Sequence, residues 1–97
     1  KVLGFLVYEL HTGEFRIVNF AVHPDHWREG IGTAMASKIH SKLSPQRRKR
    51  AKTRVRESNL DAQLFWRAMG WRVRRIVRKP FPDCEEDAYL FVKEVGR

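Results

Sequence analysis

Val22-His23-Pro24-Asp25-His26-Trp27-Arg28-Glu29-Gly30-Ile31-Gly32-Thr33 reads as the end of a strand, a glycine-bearing turn and the start of a helix. Pro24 stops the strand, because proline has no amide to give to a ladder. The helix that opens at Gly30-Ile31-Gly32 is carried by Ile31, Met35, Ile39 and Leu43, which recur every fourth residue with Ala34 beside them, and Ser44-Pro45 closes it. A junction of this kind suits phosphate. The first amides of a helix have no internal partner and lie at the positive end of its dipole. Gly30 and Gly32 take away the Cβ atoms that would hold a bulky anion off those amides, and Arg28 offers a charge-assisted contact. Glycines at a helix start also serve plain turn chemistry. The stretch has neither the Gly-Lys-Ser/Thr of a Walker loop nor a three-glycine dinucleotide pattern.

Working outward, Val2 to Leu10 and Phe15 to Val22 form two apolar strands joined at Thr12-Gly13, a hairpin ahead of the turn. On the other side, Ala51, Thr53 and Val55 alternate with Lys52, Arg54 and Arg56, the period of a third strand. Ser58 followed by Asp61 resembles a capping box for a short helix whose stripe is Leu60, Leu64, Phe65 and Ala68, ending at Gly70. Trp71 to Val77 and Ala88 to Val95 read as two more strands, joined through Pro80-Phe81-Pro82-Asp83. The order is ββαβαββ, one α/β (α+β) domain over residues 1–97. Phe5, Phe20, Phe65, Trp71 and Phe91 fall at apolar positions of these elements and are expected in the core.

The net charge of +9 is concentrated: seven of the ten residues from Arg47 to Arg56 are basic, and Arg72, Arg74, Arg75, Arg78 and Lys79 follow. Such a field favours anionic partners, either a phosphate-bearing cofactor or RNA. A single cysteine, Cys84, excludes an internal disulfide, and no Cys/His spacing suits a metal. No apolar run reaches the roughly 18 residues that cross a bilayer. A cytoplasmic protein without metal or membrane association is expected.

The second informative stretch is Val55-Arg56-Glu57-Ser58-Asn59-Leu60-Asp61-Ala62-Gln63-Leu64-Phe65-Trp66-Arg67-Ala68-Met69-Gly70-Trp71. An Asn that opens a helix, an Ala three residues on and an aromatic-Gly-aromatic ending resemble the GNAT acetyltransferases. The stretch from Val22 to Thr33, with its Val-His-Pro lead-in, resembles the acetyl-CoA loop of that family. Glu86-Asp87-Ala88-Tyr89 resembles the closing strand of its ribosomal-protein-alanine N-acetyltransferase branch.

The resemblance implies a GNAT-like mixed, mostly antiparallel sheet that lacks the family's first strand and first two helices. The chain starts at Lys1, so it reads as an N-terminally truncated fragment or as a form that works as a homodimer. The resemblance further implies an acetyl-CoA-dependent transferase acting on a primary amine, with a protein N-terminus as the acceptor suggested by the closing strand. Phe20, Ala21 and Val22 would offer backbone groups to the pantetheine arm. Trp27, Arg28, Glu29, Gly30, Ile31, Gly32 and Thr33 would wrap the pyrophosphate, and Asn59 would contact the cofactor, cap the helix, or do both. At three positions the chain departs from the pattern, the first being Trp27, which stands at the start of the glycine loop where the family usually has Gln or Arg. Trp66 stands where the family has a Tyr acid, and an indole donates a hydrogen bond but no proton. Arg54 stands where it has a Glu base, and a guanidinium takes no proton from an ammonium. Glu57 and His23 are the nearby substitutes, each with a plainer reading as a partner of the adjacent arginines and as a strand-end residue.

The competing readings are a non-catalytic acetyl-CoA-binding module and a basic RNA- or ribosome-associated domain. For the latter, Arg72-Val73-Arg74 beside Trp71 would supply charge and stacking, although no ribonucleoprotein or KH signature accompanies them.

Overall fold

The structure, a computed structural model, describes residues 3–27 and 29–95. Its elements follow the expected order: β1 (Gly4–His11), β2 (Glu14–Val22), α1 (Ile31–Lys42), β3 (Arg50–Arg56), α2 (Leu60–Ala68), β4 (Arg72–Val77) and β5 (Ala88–Glu94). The polar stretch after β2 contains one turn of 3-10 helix, Pro24–His26, with proline in its first turn, where no amide is needed. The chain divides into two compact units. One comprises the described residues up to Ala51 together with Glu94 and Val95, and the other runs from Lys52 to Lys93.

In the first unit β1 and β2 pair antiparallel from Gly4↔Val22 to His11↔Glu14, with a register shift at Val7/Tyr8. Gly13, at φ +77°, makes the tight turn between them. The buried face holds Phe15 and Ile17 from β2 with Ala36 and Ile39 from α1. Of the stripe expected on α1, Ile39 is buried and Ala34 is exposed. Ile31, Met35 and Leu43 are half-buried, so the stripe faces inward as expected, and Ala36 takes the buried place beside it. Phe5, expected in the core, is 43% exposed. It lies on a strand whose apolar residues Phe5, Val7, Tyr8 and Leu10 all face outward in part, so its placement in an apolar run did not decide its burial.

Much of the first basic run is used within this unit. The Arg48 guanidinium donates to the carbonyl of His11 at 3.1 Å and lies 5.7 Å from the Phe15 ring centre. Arg50 pairs with Glu94 at 3.1 Å and lies 3.9 Å from the buried Glu14, which Arg16 holds at 2.6 Å.

The second unit arranges its strands in the order β3-β5-β4, with β4 and β5 antiparallel. Thr53 and Val55 are buried and Arg54 is exposed, so the alternation read in the sequence holds. The core is built on Trp66, Trp71 and Phe91, with the two indoles 4.5 Å apart. The stripe expected on α2 is corrected here. Leu60 and Leu64 are 61% and 57% exposed and Ala68 is exposed, whereas Phe65 of that stripe is half-buried and packs inward with Trp66 and Met69. Both sets satisfy i, i+4 spacing on a nine-residue helix, so periodicity alone does not choose between them. The capping box is also displaced by one residue. Asn59 is the N-cap, its Oδ1 accepting from the Ala62 amide at 3.1 Å, while the Ser58 amide donates to Glu86 at 2.8 Å.

Candidate functional site

The junction between β2 and α1 is a built structure rather than a loose loop. His23 caps the 3-10 turn through Nδ1, which accepts from the Asp25 amide at 3.2 Å, and its carbonyl accepts from the His26 amide at 2.8 Å. The two imidazoles meet edge to face with centres 5.7 Å apart. His26 Nδ1 lies 2.9 Å from a carboxylate oxygen of Glu29, and Trp27 Nε1 donates to the Val22 carbonyl at 2.7 Å. The turn is thus tied forward to the start of the helix and backward to the end of the strand. Arg28 lies outside the described residues.

Gly30 sits at φ +84° as the N-cap of α1, where an L side chain is strained. Among the described residues no side chain caps this helix start, and no acidic residue lies in its first turn. The Ala34 amide is satisfied by the Gly30 carbonyl at 2.9 Å. The amides of Ile31, Gly32 and Thr33 precede the first internal bond and form a donor cluster at the positive end of a twelve-residue helix. A Cβ built on Gly30 meets nothing within 4 Å, so the approach is open. The residue types and their geometry therefore fit a pyrophosphate.

A position not singled out in the sequence supports this junction from below. A Cβ on Gly4 would fall 2.9 Å from the Ala21 carbonyl oxygen, 3.1 Å from Met35 Cε and 3.3 Å from Ile31 Cγ2. Gly4 thus lets the first turns of α1 settle directly against the strands. Its only sequence signal is a glycine inside an otherwise apolar strand pattern, which marks close approach.

In the second unit Asn59 fulfils its capping role, with the side-chain oxygen engaged at Ala62. Glu57 is exposed, and its plainer reading is corrected. Its carboxylate accepts from the Asp87 amide at 3.4 Å, and its own amide donates to the Asp87 carbonyl at 3.1 Å. Of the arginines expected to pair with it, Arg56 is bound elsewhere and Arg54 has no ion pair among the described residues. Arg56 is held by Asp83 at 3.3 Å and Glu86 at 3.4 Å, donates to Cys84 Sγ at 2.9 Å, and lies 4.0 Å from the Phe81 ring centre. Its pKa is raised, first by the bond to Cys84 and then by Asp83. Glu86 is held below the usual carboxylate range, chiefly by hydrogen bonds from the Ser58 hydroxyl and amide and then by Arg56. Arg54 is exposed and Trp66 is 2% exposed. Trp71 is fully buried, which removes it as a stacking platform for RNA.

Residues 1–73 match the family model for the acetyltransferase (GNAT) domain. The chain belongs to the GNAT acetyltransferase family. It is 28% identical over 98 residues to the [ribosomal protein bS18]-alanine N-acetyltransferase of Escherichia coli, matching 99% of this chain and 66% of that protein. An uncharacterized N-acetyltransferase of Methanocaldococcus jannaschii is 30% identical over 95 residues, 97% of this chain and 60% of that protein. Among solved structures, Ard1 from Thermoplasma volcanium superposes with a TM-score of 0.86 at 26% identity, covering 98% of this chain and 64% of that one. Arabidopsis thaliana NAA60 in complex with acetyl-CoA shares the fold, with a TM-score of 0.90 at 16% identity over 98% and 67% of the two chains. The GNAT chain described here therefore spans 60–66% of the length of these curated relatives. The α+β fold with five strands and two helices is the family's own, shortened relative to its members.

Proposed function

We propose that residues 1–97 act as one acetyltransferase domain, moving an acetyl group from acetyl-CoA to a primary amine, with a protein N-terminus as the acceptor. The carrying observation is the uncapped start of α1 behind Gly30, with its free amides and open approach, in a chain of this family. In this reading the amides of Ile31, Gly32 and Thr33 hold the pyrophosphate, with Trp27, Arg28, Glu29 and Gly30 completing the loop. The ends of β2 at Phe20, Ala21 and Val22 line the pantetheine arm, and Asn59 adds a side-chain amide. The acceptor class is supported by the E. coli relative, whose name gives an alanine of a ribosomal protein as its substrate. The cytoplasm is the compartment this reading assigns.

Acetyl transfer needs a neutral amine to attack the thioester carbonyl, so that the C–N bond forms as the C–S bond breaks and the leaving thiolate gains a proton. Between the two substitutes for the missing base, Glu57 is favoured. Its single acceptor bond is long, at 3.4 Å, and the group is exposed, whereas His23 Nδ1 already caps the turn. A protein-supplied acid has no candidate at Trp66, and water takes that role. The second reading is a non-catalytic acetyl-CoA-binding module, favoured by the burial of Trp66 and the charge of Arg54 at the two altered positions.

The test is calorimetric titration with acetyl-CoA, with CoA and ATP as controls, on the parent chain and on Gly32→Trp. Saturable acetyl-CoA binding that exceeds ATP binding and disappears in Gly32→Trp, at an unchanged melting temperature, supports the site. Unchanged affinity in the variant refutes it. Acetylation of amine-bearing peptides, lost in Glu57→Gln while acetyl-CoA affinity is kept, separates the enzyme from the binding module.

A further inference from the structure

β4 is an edge strand. It pairs with β5 on one side, and among the described residues no strand pairs with the other. Its outer main-chain amides and carbonyls form a template for one further strand. Residues 72–76 are all exposed, so the edge is open to solvent.

The register gives the two faces of this edge different chemistry. Val73 lies opposite Phe91 and Ile76 opposite Tyr89, and residues two apart on β5 share a face. Arg72 lies opposite Val92 and Arg75 opposite Leu90, which share the other face. The register shift between Val73 and Arg75 makes this sorting possible. In a regular strand Arg72 and Arg75, three apart, would point to opposite faces, and so would Val73 and Ile76. One face of the edge is therefore apolar, with Val73 43% and Ile76 50% exposed, and the other carries two arginines. Arg72 and Arg75 have no ion-pair partner among the described residues. The acidic side chains between β4 and β5 are committed elsewhere: Asp83 and Glu86 to Arg56, Asp87 to Arg78, and Glu85 to Lys79.

We infer that the outer edge of β4 takes up, as an added strand, an extended peptide in which acidic and apolar residues alternate. Main-chain hydrogen bonds along the edge hold such a peptide, and its side chains, alternating at period two, meet the two faces in turn. Opposite Arg72, Val73, Arg75 and Ile76 the matching order is acidic, apolar, acidic, apolar. Guanidinium groups bind carboxylates through paired, charge-assisted hydrogen bonds, and the apolar side chains cover Val73 and Ile76. A second copy of this chain does not fit the edge, because its β4 would bring arginine against arginine. The charge that keeps basic strands away, an ordinary protection of a sheet edge, admits an acidic one. None of the residues assigned to the donor site takes part, so this inference stands or falls apart from that site.

The experiment is fluorescence anisotropy of a labelled peptide of about eight residues that alternates glutamate and valine, titrated with the full chain at low and moderate salt. Comparison peptides gather the same glutamates and valines into two blocks, replace glutamate by lysine, or carry an N-methyl group on every amide. The alternating peptide is expected to bind at least about tenfold more tightly than any of these, and to slow hydrogen exchange within β4. Arg72→Gln/Arg75→Gln is expected to weaken binding by about three- to tenfold and to reduce its salt dependence. Arg72→Lys/Arg75→Lys keeps the salt dependence, and Arg47→Gln/Lys49→Gln, with the same loss of charge in the other unit, leaves binding within about twofold. Val73→Thr/Ile76→Thr is expected to weaken the glutamate–valine peptide but not a glutamate–threonine one, a difference that loss of the fold would not produce. Equal losses in the two Gln pairs, equal affinity for the block or N-methylated peptide, unchanged exchange in β4, or no binding of the alternating peptide at low salt would each overturn the inference.

Discussion

The indole Nε1 of Trp27 donates a 2.7 Å hydrogen bond to the main-chain carbonyl of Val22. It joins the end of β2 to the loop in front of α1, so one side chain fixes the distance between two parts of the proposed donor site. Trp27 is itself 52% exposed, which makes the bond a positioning contact and not a core one. Trp27→Phe keeps most of the ring and removes the donor. A single neutral hydrogen bond contributes about 0.5–1.5 kcal/mol, a factor of roughly 2 to 10 in affinity. Acetyl-CoA affinity is expected to fall by that factor while the melting temperature barely moves. Calorimetry paired with thermal melts checks both halves, and a full-strength site in Trp27→Phe would show that the bond does not position the loop.

Gly30 isolates backbone strain from steric clash. Its φ is +84°, and a Cβ placed on it touches nothing within 4 Å. Gly30→Ala is therefore expected to destabilise the fold only by the left-handed penalty, about 1–2 kcal/mol. Gly30→Asn should lose less, since asparagine tolerates that region better. Urea unfolding of the three proteins tests the order Gly, Asn, Ala, and a larger loss in Asn than in Ala would overturn it.

Gly4 shows the opposite balance. Its φ is not in the left-handed region, but a Cβ there would crowd the Ala21 carbonyl oxygen at 2.9 Å, an atom of the backbone that cannot rotate away. Met35 Cε, at 3.1 Å, belongs to a flexible chain and can yield. Gly4→Ala is expected to destabilise by about 1–3 kcal/mol, the usual range for overpacking. Adding Met35→Ala should restore little of it. Full rescue by the second substitution would identify the methionine, rather than the Ala21 oxygen, as the obstacle.

The order of elements was readable because turn residues punctuate it: Thr12-Gly13, Pro24, Ser44-Pro45 and Gly70 each lie at or beside a junction. The junction that carries the proposed site was readable for the same reason, since Gly30 and Gly32 announce a helix start open to an anion. Burial was less readable. On α2 the sequence offers two apolar stripes, and only packing against Trp71 reveals that Trp66 is inside while Leu60 and Leu64 are outside. The charge of the run from Arg47 to Arg56 favours anionic partners. Arg48, Arg50 and Arg56 are instead bound by His11, Glu94, Asp83 and Glu86, partners 27 to 44 residues away along the chain in their hydrogen bonds. No local pattern encodes contacts of that separation.

Glu86 supplies a pH dependence with a definite sign. Hydrogen bonds from Ser58 and then the charge of Arg56 hold its carboxyl below the usual carboxylate range in the folded chain. A carboxyl depressed by folding contributes stability that is present in full above its unfolded pKa and disappears as pH falls through the folded value. Arg56, with its pKa raised further, stays charged throughout, so the acid limb belongs to the carboxylates. The stability of the parent chain is therefore expected to decline below about pH 4.5. Glu86→Gln should be less stable at pH 7, because the neutral amide loses the charge-assisted bonds to Ser58 and Arg56, and its loss between pH 5 and pH 3 should be shallower. Urea midpoints for the two proteins at several pH values test this directly. Parallel curves would mean that Glu86 titrates alike in the folded and unfolded chain, and that the bond from the Ser58 amide at 2.8 Å does not favour the ionised form.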